Sequence, residues 1–575
     1  MAGKTPHASA GEPLAPALLA FATIFAALWL AHLPLLRLPY FWDEAGYFIP
    51  AARDILLTGD LIPHTTLSNA HPPLVMLWLA LCWKLAGYSP LVTRTAMLLV
   101  AAFGFTALWL LGRRVADAQV AAAAVVLTAL SPTVFSQSVM AQLDIAAFAL
   151  VLWTLYSHIR GRLWQAVVFA ALAGVAKETT VAVTLTLLGS ALLGWCAYRW
   201  RPALAARWCL PRPTLAQCAA YLLALLPLLG WYAYHFHRTG HVFGNPDYLR
   251  YNMGATVTPL RILLAGIMRL WHAVGYMNLF VLTAAALLLL WNARQTGAAA
   301  PSAPNTGAAA PDASNAAAIA PSVQLLLGLV VLAQAAEFSV VGGALLARYM
   351  IPAIPLVVLL AVNVLRRHAP QWKWWVAGCA AAFVVALFFN PPWFISPEDN
   401  LTWASFVRML QQAARYVERH YAEDRILTAW PASDELNRPF LGYVARPLSV
   451  VRIENFSASE ILRAEQQEEN FDVVVAFSTK YEPPRGILQR IPGWTQAQTR
   501  YFDFHQDLPA AAIARMLHGR IVWQDATTGE WIAVIEIDKA RDAKVERFEV
   551  SRFQGFKVSR ETIGDVDNRL EGGGY

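Results

Sequence analysis

Charged residues are scarce in this chain of 575 residues, and their scarcity excludes most classes of soluble protein. Only 14% of the residues are charged, 57% are hydrophobic, and the mean hydropathy is +0.42. A soluble domain usually carries about 25% charged residues. Because the shortfall extends over most of the length, the sequence predicts many membrane spans rather than one large soluble core.

Paired cysteines and a continuous basic face are also lacking. None of the cysteines forms a CxxC pair, and all lie in or beside apolar segments: Cys82, Cys196, Cys209, Cys218 and Cys379. A disulfide framework or a cysteine zinc site is therefore not expected. The net charge of +7 comes from short basic clusters between apolar runs, which argues against nucleic-acid binding. The N-terminal region shows no signal-peptide cleavage pattern, so we expect its apolar stretch to remain as a first span.

Eleven apolar runs have lengths that bracket the ~20 residues a bilayer requires; 163–176 is short and 262–291 is long. The predicted spans are 16–36, 91–112, 118–136, 141–158, 163–176, 180–198, 215–233, 262–291, 322–342, 350–365 and 373–391. A further apolar stretch, 73–88, is predicted to be embedded in the membrane without crossing it. The spans define an α-helical polytopic membrane protein.

The basic clusters set the predicted orientation. Four clusters are expected to be cytoplasmic, because lysine and arginine concentrate in cytoplasmic loops: 113–114, 158–162, 199–207 and 366–367. Eleven crossings from a cytoplasmic N-terminus place all four inside, whereas a twelfth at 73–88 would place all four outside. The outer face then receives residues 37–90, 177–179, 234–261, 343–349 and the tail.

Two segments differ from the apolar runs in composition. Residues 292–321 contain TGAAAP twice and are predicted to be a flexible cytoplasmic linker. The tail alternates helix and strand patterns, with predicted strands at 425–430, 447–453, 472–477 and 530–537 and helices at 402–421 and 457–469. We therefore predict a transmembrane domain over 1–392 and a water-soluble α/β domain over 393–575.

The first outer loop carries a group of polar residues that suits catalysis. Asp43 and Glu44 follow the first span in FWDEAGY, and His64 and His71 follow a short amphipathic helix, the second histidine in AHPPL. A carboxylate at a water-accessible membrane face can act as a general base. An ordinary interfacial acid or helix cap is the alternative for Asp43.

Three more charged residues stand in apolar surroundings. Asp144 lies one turn inside a span, where acids are usually functional, although an acid facing the helix dipole is the alternative. Lys177 lies in GVAKETT, where a salt bridge to its neighbour Glu178 is the alternative. Arg348, beside Tyr349 in ARYMIP, suits a bidentate grip on phosphate, with contact to lipid headgroups as the alternative.

The loop 234–261 contains three histidines, His235, His237 and His241. No glutamate or cysteine completes a familiar metal-ligand spacing, so a polar loop facing the substrate is preferred to a metal site. Its aromatic residues suit either stacking on a sugar or an interfacial belt.

The order of these motifs resembles the GT-C glycosyltransferases over roughly residues 15–390. A span, an Asp-Glu pair, an amphipathic helix, HPPL, an intramembrane aspartate, a GxxKE-type loop and a late ARYMxP follow one another. The nearest resemblance is to the protein O-mannosyltransferases and the lipid A aminoarabinose transferases. The latter carry Glu-Lys before the two prolines, where this chain has Ala70 and His71. The glutamate that would bind a metal there is therefore missing, and a divalent metal is left open rather than expected.

The resemblance implies an inverting transfer of a sugar from a polyprenyl-phosphate donor. Asp43 would then be the general base on the acceptor hydroxyl, and Glu44 would support it or shape the site. Arg348 would hold the donor phosphate, with His71 and Lys177 nearby; Asp144, Tyr349 and His64 are further candidates. The acceptor is left open as a lipid, a glycan or a protein.

Two other classes of function stay open from the residues alone. A transporter or flippase of a lipid-linked sugar would show matched halves with broken helices, and the sequence shows no such symmetry. A non-catalytic membrane assembly protein would act through its tail. The composition, rich in alanine and in arginine over lysine, suggests a bacterium, so the predicted location is the inner membrane with the tail in the periplasm.

Overall fold

The computed structural model describes residues 14–203, 214–244, 246, 250, 257–296, 318–481, 490–502 and 507–539. It is mostly helical, with a small sheet near the C-terminus. Most of the linker predicted at 292–321 and part of the loop 234–261 lie outside the described residues.

Helices make up the first two thirds of the chain. Their bounds are α1 Leu14–Ala31, α2 Ile49–Thr58, α3 Leu74–Ala86, α4 Pro90–Val115, α5 Ala118–Leu130, α6 Pro132–Gln137, α7 Leu143–Ile159, α8 Leu163–Ala176, α9 Val181–Trp200, α10 Leu215–Leu223, α11 Leu226–Thr239, α12 Pro259–Val274, α13 Leu279–Gln295, α14 Pro321–Val340, α15 Ile354–His368 and α16 Trp372–Phe388. Each predicted span coincides with one of these helices or with two consecutive ones. We call this region the helical part.

The lengths of these helices support a membrane protein, but they leave the predicted count of eleven spans as a prediction. Among the described residues, four helical stretches are long and apolar enough to cross a membrane, or five if the bent pair α12–α13 is one span. Six shorter apolar helices have 10–17 residues, and α3, over the stretch predicted to be embedded, is one of them.

The span predicted at 262–291 is not one straight helix. α12 and α13 meet at an angle of 84°. Two residues of the break, Met277 and Asn278, have positive φ angles of 49° and 67°, which a continuing helix does not allow. Hydropathy alone did not reveal this bend, because the apolar residues continue through it.

On α12 the apolar residues are exposed and the charged residues are buried, which is the reverse of a helix in a soluble protein. Leu263 and Ile267 are exposed, at 60% and 59% of their surface, whereas Arg261, Arg269 and His272 are buried. A helix with apolar residues outside and arginines inside suits a surrounding of lipid, where ionisable groups face the interior of the bundle.

The C-terminal part is built on a five-stranded sheet. Its strands are β1 Arg425–Ala429, β2 Ser449–Ile453, β3 Val473–Phe477, β4 Gly519–Thr527 and β5 Glu530–Ile537, in the order β2-β1-β3-β5-β4. The first three run parallel, and β5 and β4 complete the sheet antiparallel. The helices are α17 Thr402–His420, α18 Ala432–Asn437, α19 Ala458–Glu465, α20 Trp494–Phe502 and α21 Ala510–Met516.

Four strands and two helices of this part were predicted from the sequence, and β4 was not. The capping pattern at Ser457 marks the start of α19, but the Ser457 side chain makes no capping hydrogen bond. The amphipathic α17 buries Trp403, Phe406 and Leu410.

The C-terminal part docks onto residues 37–90, the predicted first outer loop. Tyr443 donates a hydrogen bond to the Tyr40 carbonyl (2.9 Å), and Tyr88 donates to the Phe440 carbonyl (2.7 Å). These contacts place the segment 430–443 directly beside the predicted catalytic loop.

Candidate active site

Arg348 is the centre of a buried cluster of charges. It lies in a 3-10 turn, Ala347–Met350, and is 5% exposed. Its Nη1 donates to Oε2 of Glu398 at 2.6 Å, and its Nη2 donates to Oδ2 of Asp43. Its Nε lies 3.7 Å from Oδ2 of Asp144. One guanidinium therefore faces three carboxylates from segments that are far apart in the sequence.

A second cation extends the cluster. Lys177, which follows α8, donates from Nζ to Oδ1 of Asp144 at 2.5 Å. The same Nζ lies 4.5 Å from the ring centroid of Tyr349, which stacks on Phe338 at 4.9 Å. Glu178 pairs with His71 (Nδ1 to Oε2, 3.0 Å). Instead of forming the alternative salt bridge with each other, Lys177 thus pairs with Asp144 and Glu178 pairs with His71.

Backbone conformations of high energy precede two of the predicted site residues. Trp42 has a φ of 52° immediately before Asp43, and Ala70 has a φ of 58° immediately before His71. Such values are rare for bulky residues and persist only where the surroundings impose them. Asp43 then begins a π-helical turn, Glu44–Phe48, without capping it, and its side chain is 20% exposed. The carboxylate is therefore directed at Arg348 and partly accessible.

Glu44 lies in a different environment from its neighbour. Its carboxylate is fully buried and accepts hydrogen bonds from Arg94 Nη1 (2.5 Å), the Ala141 amide (2.6 Å) and the Phe41 amide (3.0 Å). Arg94 is equally buried and also donates to the Pro39 and Val139 carbonyls. This position favours the role of shaping the site over contact with a substrate, because the network joins the Asp43 loop to the segment before α7.

Of the other candidates, Tyr349 lies at the cluster, His71 pairs with Glu178 beside Lys177, and His64 lies elsewhere. The His64 side chain is 52% exposed, and its ring pairs with Asp60 at 2.8 Å. The His235 ring donates from Nδ1 to the His241 carbonyl (2.6 Å), and its Nε2 shares a hydrogen bond with Ser68 Oγ (2.8 Å). It thus joins the segments that contain Ser68 and His241. Among the described residues, no three His, Cys, Asp or Glu side chains converge as a metal site would require.

Sequence reasoning missed two acids of the tail, Glu398 and Asp399. Both are buried in a 3-10 turn, Pro397–Asp399, that follows α16. Burial raises the pKa of both carboxyls, and the charge of Glu398 adds to the effect on Asp399, whose pKa is about 8. Asp399 accepts a hydrogen bond from the Tyr276 hydroxyl at 2.7 Å. The available signal was an acidic pair directly after the last apolar run.

Two arginines of α12 were also missed. Arg261 donates to the carbonyls of Ser339, Gly342 and Gly343, and Arg269 donates to those of Phe338, Ala344 and Leu346. Together they fix the segment 338–346, which leads into the Arg348 turn. An arginine within an apolar run was the signal that would have found them.

Several buried polar atoms around Arg348 have no hydrogen-bond partner among the described residues. They are Arg348 Nε, Glu398 Oε1, Asp399 Oδ1, Gln142 Oε1, Gln137 Oε1 and Ser136 Oγ. Buried polar groups are almost always satisfied, so a local concentration of unsatisfied ones indicates a place for water or a polar ligand. The cluster therefore has the polarity and the position of a binding site.

The fold around this site is that of the GT-C glycosyltransferases. The crystal structure of ArnT from Cupriavidus metallidurans bound to undecaprenyl phosphate aligns with a TM-score of 0.51 at 14% identity, over 92% of this chain and 99% of that chain. ArnT, a lipid A aminoarabinose transferase, is a GT-C family member. The resemblance predicted from the sequence is thus confirmed for the fold.

Two further structures are similar. ArnT from the same organism in the apo state aligns with a TM-score of 0.49 at 13% identity, over 91% of this chain and 98% of that one. The Archaeoglobus fulgidus oligosaccharyltransferase in complex with Zn and sulfate aligns with a TM-score of 0.40 at 10% identity, over 80% and 67%. No protein-family model matches the sequence, and no curated protein matches it significantly.

Proposed function

We propose that this protein is an inverting glycosyltransferase that moves a sugar from a polyprenyl-phosphate donor to an acceptor hydroxyl. The observation that supports it most directly is the convergence of Asp43, Asp144, Lys177 and Arg348 at one buried site. A base beside two cations matches a reaction that needs a deprotonated hydroxyl and a stabilised phosphate leaving group. The undecaprenyl phosphate bound to ArnT is consistent with a donor of this class.

Each residue of the cluster receives one role. Asp43 accepts the proton of the acceptor hydroxyl while the hydroxyl oxygen bonds to the anomeric carbon. The bond between that carbon and the phosphate oxygen breaks, and its electron pair leaves with the polyprenyl phosphate, with inversion at the carbon. Arg348 and Lys177 bind the phosphate, and Asp144 holds both cations in place.

The proposal includes a topology in which the site lies at the outer face of the membrane. The helical part crosses the membrane eleven times, with α12–α13 counted as one crossing, and residues 1–392 form the transmembrane domain. Residues 393–575 form an α/β domain on the outer face, in the periplasm of a bacterial inner membrane. The acceptor is a hydroxyl of a lipid, a glycan or a protein on that face.

The test is transfer of radiolabelled sugar from a panel of polyprenyl-phosphate sugars by purified protein in membranes that contain candidate acceptors. Wild type is compared with Asp43→Asn and with a control acid of the same loop, Asp60→Asn, whose partners are His64 and Arg238. Transfer by wild type and the control alone supports the class and the base. Transfer by all three keeps the enzyme and rejects Asp43 as the base. No transfer with any donor favours a flippase or an assembly protein.

A further inference from the structure

Building on the glycosyl transfer proposed above, we infer that Glu398 is an internal anion that holds Arg348 before the donor binds. The phosphate of the lipid then competes with Glu398 for the guanidinium. In this role the first turn of the C-terminal part competes with the substrate, and Glu398 sets how tightly the phosphate is held.

The hydrogen bonds of Arg348 indicate that Glu398 competes with the donor phosphate instead of only holding the arginine side chain in position. A guanidinium grips phosphate best with two parallel N–H groups. Both terminal nitrogens of Arg348 already donate to carboxylates, Nη1 to Glu398 and Nη2 to Asp43. A phosphate that grips the guanidinium through Nη1 therefore meets the Glu398 carboxylate at the same nitrogen, and the two anions compete for the charge of Arg348.

Glu398 has few contacts besides Arg348 that would keep its carboxylate charged. Its side chain is 4% exposed, and its second oxygen, Oε1, has no hydrogen-bond partner among the described residues. Its other contact is a long one, from Gln142 Nε2 at 3.5 Å. A buried carboxylate with so few donors depends on Arg348 for its charge.

Competition between Glu398 and the phosphate would help release the product, because the donor and the product carry different charges. The donor is a phosphodiester with one negative charge, whereas the released polyprenyl phosphate is a monoester with a charge of about −1.5 to −2 at neutral pH. Without a competitor, Arg348 and Lys177 would hold the product more tightly than the donor. A returning carboxylate at Arg348 offsets that difference and speeds release of the product.

Protonation of Glu398 offers a second way to test the competition, because it removes the negative charge of the carboxylate. Burial raises the pKa of its carboxyl, and Arg348 lowers it in part. Below that pKa the carboxyl is neutral and no longer competes, so a phosphate binds more tightly as the pH falls. The titratable and charged groups that face Glu398 are Arg348, Asp43, Asp144, Asp399 and, through Asp399, Tyr276.

The first experiment measures binding of undecaprenyl phosphate to the full chain in nanodiscs. Glu398→Gln keeps the size of the side chain and removes the charge, and Glu423→Gln, 88% exposed, is the control. We expect the Kd of Glu398→Gln to be about tenfold lower than that of wild type, and product inhibition to be stronger by a similar factor. An unchanged or higher Kd in a folded variant would overturn the role of Glu398 and leave the proposed transfer intact.

The second experiment needs no variant. A polyprenyl methyl phosphate is a phosphodiester whose charge is constant near neutral pH, so a pH dependence of its Kd belongs to the protein. Wild type is expected to bind it more tightly as the pH is lowered. A flat profile, or weaker binding at low pH, contradicts the competition. Absence of binding at every pH, with either lipid, would reject both the competition and Arg348 as a phosphate site.

Discussion

At the scale of single residues, the function proposed here depends on the shape of the Arg348 side chain as much as on its charge. Three carboxylates approach it from different directions, and each interacts with a different nitrogen. A lysine at this position would supply one compact charge and could not reproduce that planar arrangement. The exchange of arginine for lysine is therefore a sensitive test of the site.

We expect Arg348→Lys to lower kcat/KM for the donor by about a hundredfold or more, which is the usual effect of losing a stabilising donor in a transition state. The measurement is a steady-state titration of the donor at a saturating acceptor concentration. Arg415→Lys, an exposed position on α17, is the control. Equal kinetics for Arg348→Lys and wild type would show that Arg348 does not contact the reacting phosphate.

The residues of the cluster differ in how far the sequence could reveal them. Asp43, Asp144, Lys177 and Arg348 stand out because ionisable residues are rare in or beside apolar runs, and the structure brings them together. Glu398 stands in a polar segment, where an acid is unremarkable. Only the packing of the tail against α6 and the Arg348 turn places it at the site, and no local pattern encodes that packing.

At the scale of elements, the segment after β1 packs against the predicted catalytic loop beside its high-energy residue, Trp42. The ring of Trp430 packs edge-on against Trp42 at 5.6 Å, and Gly46 lies directly beneath it. A Cβ atom at Gly46 would stand 2.5 Å from Cζ2 of Trp430, so this close approach requires glycine. The residue with the positive φ, Trp42, is thus in direct contact with the C-terminal part.

We predict that Trp430→Ala lowers kcat about tenfold or more while the Kd for the lipid phosphate changes little. The variant releases Trp42 and misplaces Asp43, and a small displacement of a catalytic group is enough for such a loss. Kinetics and lipid binding are measured side by side. Trp374→Ala, at a residue that is 77% exposed on α16, is the control. Equal losses of kcat and lipid affinity would indicate general damage to the site instead.

Helices were predictable from the sequence where the thickness of the bilayer sets their length. Bilayer thickness selects apolar runs of a certain length, and each predicted span became a helix or two consecutive helices. The bend between α12 and α13 depends on two residues with positive φ, and one of them, Met277, has no tendency to mark a turn. β4 was missed because it lies at the edge of the sheet and is only partly buried, so its apolar run is short, IVW at 521–523.

At the scale of the whole molecule, a buried acid in the sheet links stability to pH. Glu530 is 2% exposed, and burial raises the pKa of its carboxyl to about 8. Between its unfolded pKa of about 4.5 and this value, the folded state holds one more proton than the unfolded state. Stability from this group is therefore complete at acid pH and is lost as the pH rises toward 8.

We expect the Tm of wild type to fall relative to that of Glu530→Gln as the pH is raised from about 5 to about 9. The variant cannot ionise at this position, so the difference between the two curves isolates the carboxyl. Tryptophan fluorescence of the full chain in detergent gives both Tm values. Glu423→Gln serves as the exposed control. Parallel curves for wild type and Glu530→Gln would mean that Glu530 is ionised without penalty in the folded protein.

The orientation of the whole molecule decides whether the site faces the outer or the cytoplasmic compartment. The cluster around Arg348 and the C-terminal part touch each other through Glu398, so both must lie on one side of the membrane. The basic clusters, such as Arg113 and Arg114 at the end of α4, are expected on the other side. Labelling of single cysteines distinguishes the two sides directly.

In a variant with its five native cysteines replaced by serine, we introduce Thr528→Cys in the β4–β5 turn or Gln119→Cys near the start of α5, both exposed. A membrane-impermeant maleimide added to spheroplasts is expected to label Thr528→Cys at once and Gln119→Cys only after permeabilisation. The reverse pattern would place the site in the cytoplasm. Labelling of both without permeabilisation would place Gln119 and Thr528 on the same side of the membrane. The chain between them would then cross the membrane an even number of times, whereas the predicted spans give an odd number. Either result would change the predicted topology and leave the geometry of the Arg348 cluster as it is.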